Sequence, residues 1–363
     1  METDVLIIGG GPAGLHAACV AASNGAKTVV VDESFSLGGQ LRQQTQSFDN
    51  LPKQFERQSG TRLAQELIER LLPLNVTILL KHTMIGIYKD GRVGVSNGSS
   101  TIPITAKKII VTTGAAEEAS VFPGWTMPGV MTVGAAQILM NREHVLPGKN
   151  SFILGSNTFS LEVAKQLTDS GVSIQGIIES ENKLHSKNVK VIQQVKDSGI
   201  PIFLNSSIVS ATGLGEVEKV LLNDNGVEAE FDIDLVCIGA GVSPILEPFE
   251  ILNCSFMYQE GLGGWVPQYD KTMETSNPSI YVAGNAAGIT CMGSILLTAE
   301  IASVNSLEAL GILDRKHAVK KKEFLWKELY HIEASKTFEE RLALMKDSHK
   351  EKELAFASFF KSD

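Results

Sequence analysis

Three glycines and one acid carry the clearest chemistry in this chain. Gly9, Gly11 and Gly14 lie in Gly9-Gly10-Gly11-Pro12-Ala13-Gly14, directly after the apolar run Val5-Leu6-Ile7-Ile8. Asp32 closes a second apolar run, Val29-Val30-Val31, eighteen residues after Gly14. A buried strand, a glycine turn, a helix and a second strand ending in an acid, at this spacing, hold the ADP half of a dinucleotide. Gly9 permits the tight turn, and Gly11 lets the backbone approach a pyrophosphate. Gly14 lets the helix pack on the sheet, so that its N-terminal N–H groups and dipole point at the phosphates. Asp32 is placed to accept a hydrogen bond from a ribose hydroxyl.

Sulfur and imidazole are scattered by contrast. Cys19, Cys237, Cys254 and Cys291 form no CxxC pair, zinc spacing or iron–sulfur set, and read as reduced, mostly buried thiols. The seven histidines include no HxxxH or HExxH pair. His16, inside the first helix, reads as a packed residue rather than a catalyst, and no metal site is expected. The net charge of -9, with no basic stripe, argues against a nucleic-acid partner. A first strand beginning at Val5 is expected to leave no room for a signal peptide. No apolar run approaches the ~18 residues of a membrane span. A cytoplasmic location is the expectation.

The elements that must position these residues follow from periodicity. A chain of 363 residues has room for two or three domains and a large core. Leu37-Gly38-Gly39-Gln40-Leu41-Arg42 is a second glycine turn, and Leu63, Leu67, Ile68, Leu71 and Leu72 recur at helical spacing. Val76 to Leu80, a hairpin region around Asp90-Gly91, and a strand at Lys108 to Thr112 follow, the last ending in Thr112-Thr113-Gly114-Ala115. Pro123, Pro128 and Pro147, with Gly124 and Gly129, predict a linker region. A second strand–turn–helix opens at Ser151-Phe152-Ile153-Leu154-Gly155, about 146 residues after the first, and its following strand closes on Glu179. Asp234 to Gly241 reads as a further apolar strand, and Ser279 to Gly288 as a strand and turn leading into a helix from about Ser294. From Asp314 the chain becomes charged, with apolar residues at Phe324, Leu325, Leu329, Ile332, Phe338, Leu342 and Met345, and it ends in Phe359-Phe360 before Lys361-Ser362-Asp363. One or two amphipathic helices are expected there. They either cover the chain's own core or dock another subunit. On the docking reading, a chain lacking residues 314–363 stays soluble and keeps its cofactor.

Four motifs in this order resemble the two-dinucleotide-binding-domain flavoproteins, the superfamily of thioredoxin reductase and glutathione reductase. They are GGGPAG with Asp32, LGG at 37–39, TTGA at 112–115 and IYVAGNAAG at 280–288. The resemblance implies an α/β fold with two Rossmann-like domains, the second inserted in the first, plus a helical C-terminal tail. The expected boundaries are 1–117 with 246–312 for an FAD-binding domain, 118–245 for an NAD-binding-like domain, and 313–363 for the tail. It implies FAD contacts from Gly9, Gly11, Pro12, Ala13 and Gly14, from Asp32 and Glu33, from Gly39, Gln40 and Arg42, from Thr113 and Gly114, and from Gly284 and Asn285. Gln40 and Arg42 face the flavin or the loop surface; both readings stay open. Asn285 stands where the family more often has Asp, and its amide oxygen can accept the same hydrogen bond. No residue is singled out as catalytic.

The block FPGWTMPGVMTVGAAQILM at 122–140, followed by VLPGK, is more narrowly similar to FAD-binding alpha subunits of amino-acid dehydrogenases: opine oxidase, hydroxyproline or proline dehydrogenase, and hydrogen cyanide synthase. A related portion occurs in the alpha subunit of sarcosine oxidase. This implies a small-molecule amine substrate and a second flavoprotein subunit, or a homo-oligomer, joined through the tail. Two departures bear on mechanism. Met131-Thr132-Val133-Gly134-Ala135-Ala136 has no CxxC, and no CxxxxC follows Gly39, which argues against thiol–disulfide chemistry. In the middle turn, Asn157 and Ser160 replace two glycines, and no arginine follows Glu179 to take a 2′-phosphate. NADPH is disfavoured and NADH would bind weakly; the middle domain is working or purely structural. Two other functions stay open: an NADH-dependent flavin reductase feeding an external carrier, and a flavin-loaded scaffold without turnover.

Overall fold

The computed structural model describes residues 1–347. Five parallel strands lie side by side in the order Val76–Leu80, Thr28–Asp32, Glu2–Ile8, Thr101–Val111 and Ile280–Val282. The near-continuous apolar runs Val5–Ile8 and Val29–Val31 are explained by burial on both faces, as a covered parallel sheet requires. The strand Thr101–Val111 is long because it serves twice. Its first part pairs antiparallel with Val93–Ser96, and its second part pairs parallel with Glu2–Ile8. Val93–Ser96 pairs in turn with Thr83–Ile87, which makes the hairpin expected around Asp90-Gly91.

A second parallel sheet is built from Val130–Thr132, Leu235–Ile238, Asn150–Leu154, Ser173–Glu179 and Ile202–Leu204, in that spatial order. Its one face packs on Val133, Leu161, Val163, Leu167 and Val195. Its other face meets a three-stranded antiparallel ribbon (Ser206–Thr212, Lys219–Asp224, Val227–Asp232), with Phe152, Phe203 and Phe231 in edge-to-face contact. All of this sheet falls in sequence between Thr101–Val111 and Ile280–Val282, so the second Rossmann-like unit is inserted in the first. The chain leaves along Ala115–Glu117 and returns along Val242–Pro244, and these two segments pair antiparallel.

The proline-rich stretch 123–147 is not simply a linker. Its prolines lie outside Val130–Thr132, which is an edge strand of the second sheet, and Val133–Asn141, which is a helix. Thr132 caps that helix by accepting from the Ala135 N–H (3.2 Å), and the Glu117 carboxylate accepts from the Gly134 N–H (2.9 Å) and the Thr132 hydroxyl (2.5 Å).

Downstream of the last parallel strand, Met292–Ala309 is a helix buried on every side from Gly293 to Leu307. It packs on Pro12–Ser23 and on the first tail helix, Arg315–Ile332, which Asp314 caps. A second tail helix spans Ser335–Asp347. Leu325, Trp326, Leu329, Phe338 and Leu344 are buried in the same core as the first sheet, so over the described residues the tail mainly covers its own domain. Phe324 remains about half exposed (46 %). Phe359 and Phe360 lie outside the described residues. No described helix is long and apolar enough to cross a membrane.

His16 is indeed packed, and it is paired. Its Nε2 lies 3.0 Å from Oε2 of Glu300, while Lys321 Nζ is 2.6 Å from Oε1 and the Gln54 amide donates to Oε2 at 3.0 Å. The pair thus ties helices Pro12–Ser23, Met292–Ala309 and Arg315–Ile332 together. Burial alone would raise the Glu300 carboxyl, but the hydrogen bond and charge of His16, with Lys321 and Gln54, hold it at about 2 against an ordinary 4.5. A carboxylate depressed by folding contributes stability that is present above pH 4.5 and is lost as pH falls toward 2. Removing one partner of a buried pair costs about 3–5 kcal/mol. Glu300→Gln is therefore expected to lower the melting temperature at neutral pH and to flatten the acid limb between those values. Parallel acid limbs for wild type and variant would contradict this.

Candidate functional site

The first glycine turn sorts its glycines into packing and open positions. Gly9 has φ +107°, and a Cβ there would fall 2.6 Å from the Thr112 carbonyl oxygen. Thr112 holds the turn from the neighbouring strand, its hydroxyl donating to the carbonyls of Ile8 (2.9 Å) and Gly9 (2.8 Å). A Cβ on Gly14 would lie 1.8 Å from the Gly9 carbonyl oxygen, so helix and turn are in direct contact. Gly11 differs. The nearest atom to its Cβ would be Gly39 Cα at 3.9 Å, which leaves a cradle that a side chain would fill. Gly11 is also the N-cap of Pro12–Ser23, and no side chain caps that helix. Its first-turn N–H groups are left for an anion.

Asp32 is buried at the end of its strand. One carboxylate oxygen accepts from the Gly10 N–H (2.6 Å) and the other from the Ser34 N–H (2.7 Å). Each oxygen keeps a lone pair for a ribose hydroxyl. Gly284 brings the last turn against the helix start, since a Cβ there would meet Ala13 Cβ at 2.8 Å. Its N–H donates to Thr298 Oγ1 (3.0 Å), and Asn285 Oδ1 accepts from the Thr290 N–H (3.1 Å). The structure thus gathers Gly9, Gly11, Ala13, Gly14, Asp32, Gly39 and Gly284 at one end of the first sheet.

The other sequence-predicted positions border this cluster and make contacts of their own. Glu33 and Gln40 are exposed, and the Gln40 side-chain oxygen accepts from the Gln43 amide. Arg42 braces its own loop, donating to Ser36 Oγ (2.5 Å) and the Gly39 carbonyl (3.3 Å) with its guanidinium 5.2 Å from the Phe35 ring centroid. The Thr113 hydroxyl donates to the Ile245 carbonyl at 3.5 Å, and Gly114 has φ +78° in open space. Sequence reasoning does not find Thr112, Thr290 and Thr298, because a hydroxyl that holds a turn from another strand or helix has no local pattern. Only its place at the head of the TTGA motif hints at the first.

The middle turn is built oppositely. Asn157 caps helix Thr158–Asp169 itself, its Oδ1 accepting from the Ser160 N–H (3.0 Å) while its Nδ2 donates to the Gly239 carbonyl (2.8 Å). Glu179 is buried and engaged by Ser156 Oγ (2.5 Å), Ser180 Oγ (3.3 Å) and the Glu181 N–H (3.2 Å). The segment after it folds back over the turn, with the Ser186 N–H on the Ser156 carbonyl (2.9 Å) and the His185 N–H on Ser156 Oγ (2.9 Å). At this turn the Ser160 N–H and the Glu179 carboxylate thus have partners within the chain.

Three of the cysteines sit where a thiolate is disfavoured: burial pushes the Cys19 thiol up to about 11, Cys237 up to about 12, and Cys254 up as well. Among the described residues no cluster of three or more His, Cys, Asp or Glu could hold a metal ion.

The family model of the pyridine nucleotide-disulphide oxidoreductases matches residues 3–305. The chain belongs to that family. It is 25% identical over 328 residues to the opine oxidase A-type subunit of Rhizobium meliloti (strain 1021), covering 85% of this chain and 71% of that one. It spans 63% and 66% of two further opine oxidase subunits of the same type. It is 28% identical over 311 residues to the alpha subunit of sarcosine oxidase from the same strain, covering 81% of this chain but only 29% of the relative. Among solved structures, L-proline dehydrogenase from P. horikoshii superposes with a TM-score of 0.72 at 23% identity, over 90% of this chain and 59% of the other, which establishes the shared fold. This oxidoreductase-family chain is therefore related to subunits of larger oxidases and is shorter than they are.

Proposed function

We propose that this protein is an FAD-dependent oxidoreductase that serves as the alpha-type subunit of an amine or amino-acid dehydrogenase, acting on proline, hydroxyproline or an opine. One observation carries the FAD reading: the first turn leaves its helix N-terminus uncapped beside the Gly11 cradle and Asp32, whereas the second turn caps itself. The residues at the first turn fit the group. The amides after Pro12 would hold the pyrophosphate, Asp32 the ribose hydroxyls, and Asn285 a hydroxyl of the ribityl chain. Bound FAD supplies a hydride acceptor for oxidation of the amine carbon. The chain's own part is to hold the cofactor, position the substrate and exclude water. The relatives are named as subunits of opine and sarcosine oxidases, which supports a partner in the form of a second flavoprotein subunit.

The self-capped Asn157 weighs against the alternative of an NADH-dependent reductase. Losing a close phosphate contact costs about 1–3 kcal/mol, roughly ten- to a hundredfold in affinity. Acid-precipitated protein is expected to release FAD. In anaerobic mixing, NADH should bleach the bound flavin slowly and NADPH more slowly still. Proline or an opine should be turned over only when a second flavoprotein subunit is present. Release of FMN, or of nothing, would remove the FAD reading; fast bleaching by NADPH at micromolar concentration would remove the account of the middle turn. Efficient amine turnover by the isolated chain would remove its assignment to a multi-subunit dehydrogenase.

A further inference from the structure

The C-terminal helices reach the turn that carries Asn285 through a buried polar chain. Arg341, on helix Ser335–Asp347, is fully buried and bidentate on Glu333, with Nε to Oε2 at 3.0 Å and Nη2 to Oε1 at 2.8 Å. Glu333 Oε1 also accepts from the Thr290 hydroxyl at 2.6 Å, and the Thr290 N–H donates to Asn285 Oδ1 at 3.1 Å. A second branch runs through backbone. Arg341 Nη1 donates to the Ala287 carbonyl (3.0 Å) and to the Tyr269 hydroxyl (2.5 Å), and that hydroxyl donates to the same carbonyl at 2.8 Å. Burial pushes Tyr269 up to about 12, so it keeps the proton it donates. Asn285 and Ala287 in the turn Gly284–Ala287, and Thr290 at its exit, are thereby linked to the tail.

An apolar set of side chains would fill this volume with less desolvation cost, because a buried Arg–Glu pair rarely adds stability over good packing. What a fully satisfied polar network supplies is one geometry. We infer that Arg341 is a positioning residue for the cofactor turn, orienting Asn285 through Glu333 and Thr290 and pinning the turn's backbone through Ala287. The inference rests on the FAD reading above. It gives the tail a role inside the chain: its second helix sets how firmly the flavin is held.

The test compares full-length wild type with Thr290→Val, Arg341→Met, Arg341→Lys and Leu344→Ala. FAD affinity is measured by titrating each apoprotein and following quenching of flavin fluorescence, and the melting temperature of each apoprotein is recorded separately. Thr290→Val removes the link to Glu333 with little change in volume and keeps the Arg–Glu pair, so it serves even if Arg341→Met does not fold. Thr290→Val and Arg341→Met should weaken FAD binding by about tenfold, the loss of one well-placed hydrogen bond. Arg341→Lys should recover part of that loss. Leu344→Ala, which removes buried apolar contact from the same helix, should lower the apoprotein melting temperature and keep FAD affinity within about twofold of wild type, a discrimination of under 0.5 kcal/mol. Wild-type affinity in Thr290→Val overturns the inference alone. A wild-type chain that binds no FAD overturns the cofactor reading and the inference with it.

Discussion

Gly11→Val is expected to strip the protein of its flavin while leaving the fold standing. Gly11 has φ -75° and ψ -170°, an extended conformation that a β-branched residue adopts without strain. Its Cβ would meet nothing closer than 3.9 Å, so the first atom of the new side chain enters without a clash. The isopropyl group would then occupy the space beside the helix N-terminus where the pyrophosphate must come within hydrogen-bond distance of backbone amides. We expect FAD affinity to fall by at least about a hundredfold, near 3 kcal/mol, with the apoprotein melting temperature little changed. Gly14→Ala makes the informative contrast. Its Cβ would lie 1.8 Å from the Gly9 carbonyl, so that variant should lose stability before it loses affinity. The two are separated by thermal melts of the apoproteins and FAD titration of whatever folds. A Gly11→Val protein that stays yellow through gel filtration would remove the first turn as the cofactor site.

Much of the fold was legible because its strands are continuous apolar runs and its turns carry glycines that geometry demands. Val5–Ile8 with Gly9 and Gly14, and the later repeat at Ser151–Gly155, are local signals, and they define two Rossmann-like units of the expected kind. The helix Val133–Asn141 was hidden because Pro123, Pro128 and Pro147 bracket it at a distance, and breaker residues near a segment say little about its interior. The candidate site was legible only in part, for the same reason. Glycines and the strand-end acid announce themselves locally. Thr112, Thr290 and Thr298 act across strands and helices far apart in sequence, as do Tyr269 and Arg341. The self-capping of the middle turn shows both sides. Asn157 was visible as a misfit for close phosphate approach, but the fold-back of His185 and Ser186 over Ser156 required the structure.

Removing residues 314–363 is expected to abolish soluble, flavin-bearing protein, which follows from the core-covering reading of this tail and runs against the docking reading. The described part of the tail buries Leu325, Trp326, Leu329, Phe338 and Leu344 in the core of the first sheet. Full burial of such a side chain is worth about 1.5–3 kcal/mol, and a whole protein's stability margin is about 5–15 kcal/mol. The cut would also uncover Met292–Ala309, a helix buried on every side from Gly293 to Leu307, and take Lys321 from Glu300 and the Arg341–Glu333 pair from Tyr269 and the Ala287 carbonyl. Polar groups left unpaired in a core cost more than the bonds they made were worth. The soluble fraction of expressed chain 1–313 and its flavin-to-protein ratio give the answer. Aggregated, colourless material is the expected result. A soluble yellow protein that no longer associates with its partner would instead make the tail a docking element, and the burial of its apolar face in this structure would then describe only the unpartnered chain.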